Sequence, residues 1–144
     1  MDAELGTLIE RIRNEYPGCF ACGTDNPEGL HLTPAAMEGD EAVARFTPRP
    51  HHGGAGDVLH GGLAATVLDE IMVWAGVLAE RVLTVTATME LRFRRPLTVA
   101  DVIEARGRVV DRSGRRLRCA AELIVNGRPA ATATGLYLVS RSFG

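Results

Sequence analysis

Lysine is absent from this sequence: all 16 basic residues are arginine. That excludes a Schiff-base lysine and the lysine of a phosphate-binding loop. Cysteine is scarce, and three of them make no evenly paired disulfide framework. A reduced, cytoplasmic protein is therefore expected. Neither sign of charge is in large excess. The formal net charge of −2 offers no strong field to steer nucleic acid or an anionic membrane toward the molecule. Aromatic residues are also few, which argues further against a stacking surface for nucleic acid. The start of the chain, Met1-Asp2-Ala3-Glu4, has no basic stretch leading into an apolar run, so no secretory signal is expected. The most apolar segment, Val58 to Ala79, carries Gly61-Gly62 near its start and Asp69-Glu70 in its middle. Adjacent carboxylates at mid-bilayer are too costly for a membrane span.

What is present reads as one α+β domain over residues 1–144, a length that suits a single core. Leu5, Leu8, Ile9 and Ile12 recur at helical spacing over residues 4–14, so residues 1–18 form a helical extension ended at Pro17-Gly18. Residues 19–29, rich in Gly, Asn, Asp and Pro, form a loop. Strands are predicted over Leu30 to Met37, Glu41 to Phe46, Thr84 to Arg95, Val102 to Val110, Arg116 to Val125 and Pro129 to Val139. Turns are expected at Glu38-Gly39-Asp40, at Asp111-Arg112-Ser113-Gly114 and at the hairpin signal Asn126-Gly127. Leu59 to Arg81 lacks proline and is apolar nearly all round, which predicts a long helix buried on most sides. The architecture expected is that helix wrapped by an antiparallel sheet of five or six strands, the last three in series as a meander.

Chemistry concentrates in His60-Gly61-Gly62 and Leu68-Asp69-Glu70. The first N–H groups of a helix have no intrahelical partner and sit at the positive end of its dipole. At Gly61 and Gly62 they offer a site for a carbonyl oxygen that gains negative charge during acyl transfer; equally, the two glycines permit a tight entry into the helix. Asp69, two turns in, has mostly apolar neighbours and must find partners or face a cavity, which makes it a candidate general base or nucleophile. Glu70 points about 100° away. Gly61 and Asp69 are separated by about 12 Å along one helix, so both cannot contact a single carbonyl. If both are catalytic, they come from different copies of the chain. His60 either touches the substrate or bonds local backbone at the helix start. Thr84, Thr86 and Thr88 alternate and are expected on one face of a strand, where a hydroxyl can bond an attacking water or the aspartate.

Cys19-x-x-Cys22-Gly23 has the spacing of half a zinc knuckle, but a zinc site needs four ligands and the chain adds only Cys119 and scattered histidines. A compact turn with small buried thiols is expected, and no metal. The pairs Arg92/Arg94, Arg106/Arg108 and Arg116/Arg118 read as a solvated sheet face, with phosphate binding as the functional alternative.

His60-Gly61-Gly62 followed by Leu68-Asp69-Glu70, with Arg92-Phe93-Arg94-Arg95-Pro96 downstream, resembles the hotdog-fold acyl-CoA thioesterases of the phenylacetate-pathway (PaaI) type. Cys19-Phe20-Ala21-Cys22-Gly23 and Asn26-Pro27-Glu28-Gly29-Leu30 resemble the N-terminal signature of a bacterial branch of that family. The resemblance implies a homodimer, or a dimer of dimers, that hydrolyses acyl-CoA at its interface without a cofactor. Carried onto this chain, it gives the carbonyl to the Gly61 N–H and the activation of water, or direct attack, to Asp69 of a second copy. It places Thr86 near the water. His60 joins the catalytic set, and His52, Gly62, Glu70 and Thr84 are expected at the substrate. A non-catalytic acyl-CoA-binding protein on the same fold is the alternative. Some relatives carry an asparagine or glutamine six residues before the motif histidine, where this chain has Gly54.

Overall fold

The computed structural model describes residues 3–144; Met1 and Asp2, counted in the expected N-terminal extension, lie outside the described residues. Helix α1 (Ala3–Glu15) buries Leu8, Ile9 and Ile12, the stripe its periodicity announces. Strands β1 (Ala36–Glu38) and β2 (Glu41–Phe46) form a hairpin that leads through the Pro50–His52 turn into helix α2 (Gly61–Glu80). Strands β3 (Val82–Phe93), β4 (Ile103–Ser113), β5 (Arg116–Val125) and β6 (Arg128–Ser142) follow. The six strands form one sheet in the order β1-β2-β4-β5-β6-β3, and every pairing is antiparallel. The β4-β5-β6 meander is the one the turn signals give. The helical crossover carries β3 to the far edge, beside β6. This is the hotdog architecture.

The helix is core because its side chains leave it no other place. Val67, Leu68, Ile71, Met72 and Val77 are fully buried against the sheet. By length and composition α2 would also pass as a membrane span, but the sheet of its own chain wraps it. Its chain reverses at Arg81, whose left-handed φ of 52° closes the C-terminus onto the carbonyls of Gly76 and Val77. One stripe stays only half-buried: Leu63, Thr66, Asp69, Glu70 and Val73, at helical spacing.

The strand expected over Leu30 to Met37 is shorter, with only Ala36–Glu38 in the sheet. Its first half is bonded elsewhere. Leu30 and Leu32 donate their N–H groups to the carbonyls of Phe20 and Ala21. His31 takes a φ of 53° and Pro34 offers no N–H. The expected turn at residues 111–114 shrinks to Gly114-Arg115, so β4 runs on to Ser113. Arg106 belongs to neither a free nor a phosphate-ready face: it pairs with Glu38, Glu41 and Glu104 across β1, β2 and β4.

His52, expected at the substrate, lies in the core at 4% exposure, its ring against Phe46 and His51. Its Nδ1 accepts the Arg49 N–H at 3.0 Å, and its carbonyl accepts the His60 N–H at 3.0 Å. Burial, then the nearby His51 and Arg49 charges, hold its pKa below the ordinary 6.5. A protonated Nδ1 would face the Arg49 N–H donor to donor. The unfolded chain thus binds this proton more readily than the native one, and stability falls as pH drops below about 6.5. Urea midpoints measured from pH 7.5 down to 5 should show this loss, and His52→Asn should flatten it.

Candidate active site

The half-buried stripe of α2 faces β3, and the decisive contact lies there. Thr86 Oγ1 donates to Asp69 Oδ1 at 2.7 Å, and Tyr137 Oη donates to the same oxygen at 2.8 Å. Thr86 and Tyr137 are opposite one another in the β3–β6 register, so one cross-strand pair supplies both donors. Among the described residues no donor reaches Oδ2, which keeps its lone pairs for another group.

Sequence reading finds Asp69 and Thr86 but misses Tyr137. The available signal was a single tyrosine in an apolar strand: a buried phenol needs a partner. Tyr137 is fully buried, and burial followed by the adjacent carboxylate pushes its pKa well up, so it remains a donor at ordinary pH. Its ring lies over Gly135. A Cβ there would stand 2.6 Å from the ring and 3.0 Å from the Thr88 carbonyl. The expectation that Thr84, Thr86 and Thr88 share a face is half right. The register shifts between Thr86 and Thr88, so Thr86 opposes Tyr137 but Thr88 opposes Leu136. This bulge turns Thr88 to the outer face and leaves Thr84 and Thr86 inside. Thr84 is buried, and its Oγ1 has no hydrogen-bond partner among the described residues.

The helix N-terminus is built separately. His60 caps it: Nδ1 accepts the Gly62 N–H at 2.9 Å. That bond takes the Gly62 donor out of play and gives His60 a local backbone partner. The Gly61 N–H has no partner among the described residues and is exposed. Gly61 lines a cavity of about 450 Å³ together with Phe93, Arg94, Arg95 and Pro96. Gly54 lies beside the His60 ring, where a Cβ would meet it at an ordinary 3.5 Å.

A second cavity, of about 630 Å³, lies along the Glu70 face of the stripe under α1 and the 16–22 loop. Val73, Trp74, Val77 and Leu83 give it apolar walls, and Thr84 lies on it too. Glu70 accepts from Trp74 Nε1 at 3.1 Å and lies 4.0 Å from Cys19 Sγ. Burial, with the nearby Cys19 charge second, raises the Glu70 pKa to about 7. The Cys19 thiol is lowered to about 5, first by a hydrogen bond from Cys22, whose own thiol is pushed up by that same bond and by burial. The structure thus brings Asp69, Thr86 and Tyr137 together, and Glu70 with Thr84 around one cavity. It keeps Gly61, Gly62 and His60 at the other end of the helix.

The sequence profile of the Thioesterase superfamily matches residues 56–130, from the loop before α2 into β6. The chain belongs to the Thioesterase superfamily. No curated protein matches it in sequence. Among solved structures it is similar to a thioesterase superfamily protein at 16% identity, over 95% of this chain and 79% of that one, with a TM-score of 0.78. A hypothetical thioesterase protein from Streptococcus pneumoniae TIGR4, solved with coenzyme A, shares 18% identity over 78% of this chain and 90% of its own, with a TM-score of 0.70. The PaaI protein of the E. coli phenylacetic acid degradation operon shares 17% identity over 78% and 82%, with a TM-score of 0.71. At these identities the likeness is one of fold.

The room that Gly135 leaves for Tyr137 is testable. Gly135→Ala should cost about 1–3 kcal/mol of stability, the usual range for overpacking. Chemical denaturation measures it; a variant as stable as the parent would mean the ring is not held over that position.

Proposed function

We propose that this thioesterase-superfamily chain hydrolyses acyl-CoA thioesters with Asp69 as the catalytic carboxylate. The observation that carries the reading is the pair of hydroxyl donors on Asp69 Oδ1. They fix the carboxylate's rotamer and leave Oδ2 as the basic atom. Oδ2 takes a proton from water as the water oxygen bonds the thioester carbonyl carbon. In the covalent variant Oδ2 itself bonds that carbon, the thiolate leaves, and water then hydrolyses the acyl-aspartate anhydride. The developing oxyanion is held by the Gly61 N–H, fixed in place by the helix and aided by its dipole. When the C–S bond breaks, the CoA sulfur receives the proton and the carboxylic acid is the other product. No cofactor enters this scheme; CoA belongs to the substrate.

One helix cannot bring both groups to one carbonyl, so the reading requires two copies, each lending Gly61 to the Asp69 of the other. Two features support such a homodimer. The 12-residue strand β3 has a free edge, and Val85 and Phe93 on it are 60% and 53% exposed. An unpaired edge of that length is a template for a second chain. The half-buried stripe of α2 lies alongside it. A dimer of dimers is compatible with the same surfaces. The apolar cavity beside Glu70 is proposed to take the acyl group, with Thr84 on its wall, and three free thiols suit a reducing cytoplasm. Gly54, with no amide to place beside His60, favours a second reading: acyl-CoA binding without turnover.

Thiol release from a panel of aliphatic and aromatic acyl-CoAs separates the two. Asp69→Asn should lower turnover by roughly 10²–10⁴-fold, the usual contribution of a general base, with the fold intact. Equal turnover in the variant contradicts the assignment of Asp69; tight binding with no turnover by the parent supports the second reading.

A further inference from the structure

The 19–23 loop is more ordered than a connecting turn needs to be. The Gly23 N–H donates to the Cys19 carbonyl at 2.9 Å, which closes the turn that carries both cysteines. A Cβ at Gly23 would stand 2.3 Å from the Pro17 carbonyl oxygen, so the turn closes too tightly for any side chain there. Asn26 braces it from outside, donating to the Gly18 carbonyl at 3.2 Å. The loop is docked through Phe20 and Ala21, whose carbonyls accept from Leu30 and Leu32.

This arrangement presents two sulfurs to helix α2. Cys19 Sγ, Cys22 Sγ and a Glu70 carboxylate oxygen all lie within 4.8 Å of one another. All three residues line the same cavity, and no arginine or histidine lines it among the described residues. Three proton-losing groups thus converge with no protein cation to balance them. Buried acids without a cation keep their protons; a shared cation takes the place of those protons and lets them ionise. The separations suit that. Tetrahedral zinc, with Zn–S near 2.3 Å and Zn–O near 2.0–2.2 Å, sets its ligand atoms roughly 3.5–3.8 Å apart. The group need contract only by about 1 Å. Trp74 Nε1 already orients the carboxylate, as outer donors do in metal sites.

We propose that Cys19, Cys22 and Glu70 bind one thiophilic divalent cation, zinc by preference, with a fourth position open to the cavity for water. The ion replaces the thiol protons and ties the N-terminal loop to α2. Sequence spacing alone misses it because the third ligand comes from a helix 48 residues after Cys22. Two thiolates select zinc over magnesium or calcium, which prefer oxygen. The proposal is independent of how Asp69 acts, and its test does not use turnover.

The full chain, reduced and loaded with Zn²⁺, should retain about one zinc per chain after removal of excess metal. Co²⁺ loaded instead should show the sulfur-to-metal absorption of a two-thiolate tetrahedral site, which needs no variant. Cys19→Ser, Cys22→Ser and Glu70→Gln should each weaken zinc binding at least about tenfold, while Cys119→Ser leaves it unchanged. Reduced protein that retains no zinc would overturn the proposal. So would zinc retained equally by the two cysteine variants. A Cys19–Cys22 disulfide that forms readily, with no zinc affinity after reduction, would make the pair a redox couple instead.

Discussion

A carboxylate half-buried in the middle of a core helix is the constraint around which this molecule is arranged. Asp69 sits among apolar neighbours, and among the described residues the donors that reach it come from the sheet: Thr86 and Tyr137. Supplying them shapes the strands. The bulge after Thr86 lets β3 keep one threonine on the inner face while the next turns outward. The glycine at 135 gives the tyrosine ring its place. These features hold one rotamer of the Asp69 side chain, and Tyr137 fills the core as it does so.

The second constraint is the length of the helix itself. The Gly61 N–H and the Asp69 carboxylate are about 12 Å apart on one rigid rod, and neither can move toward the other. Two cavities flank the helix, one at Gly61 walled by Phe93 and the arginines that follow it, the other beside Glu70 walled by Val73, Trp74 and Leu83. On the proposed mechanism a single chain carries two half-sites. The free edge of β3 and the half-buried stripe of α2 are the surfaces on which a second copy would join them.

Much of the fold was legible because its signals are local. Strands β2 and β5 begin and end where alternation and turn residues place them, and α2 falls within two residues of its expected ends. Where reading failed, the reason was tertiary. The chain from Leu30 to Ala35 has strand-like residues, but the N–H groups of Leu30 and Leu32 are taken by the cysteine loop. The bulge in β3 leaves no mark in the alternation of threonines. His52 looks like a site histidine in a glycine-rich loop and is instead a backbone acceptor in the core. Of the candidate site, Asp69 was readable from chemistry and spacing, while Thr86 was singled out from three alternating threonines by family resemblance. Tyr137 and the meeting of Glu70 with Cys19 and Cys22 depend on which strand and loop fold beside which turn of the helix.

The claim that two copies complete one site can be tested by complementation. Gly61→Pro removes the N–H at the first helical position, where proline is tolerated, and His60 already has the extended backbone a following proline needs, with ψ at 128°. A Cβ at 61 meets only the edge of the Phe93 ring, at 3.8 Å. Each of Gly61→Pro and Asp69→Asn should be inactive alone. Chains of the two variants, unfolded together and refolded at equal amounts, should recover about a quarter of the parent's turnover, because half the dimers are mixed and each mixed dimer has one complete site. Mixtures that stay as inactive as the separate variants, with mixed dimers shown to be present, would contradict a site shared between copies.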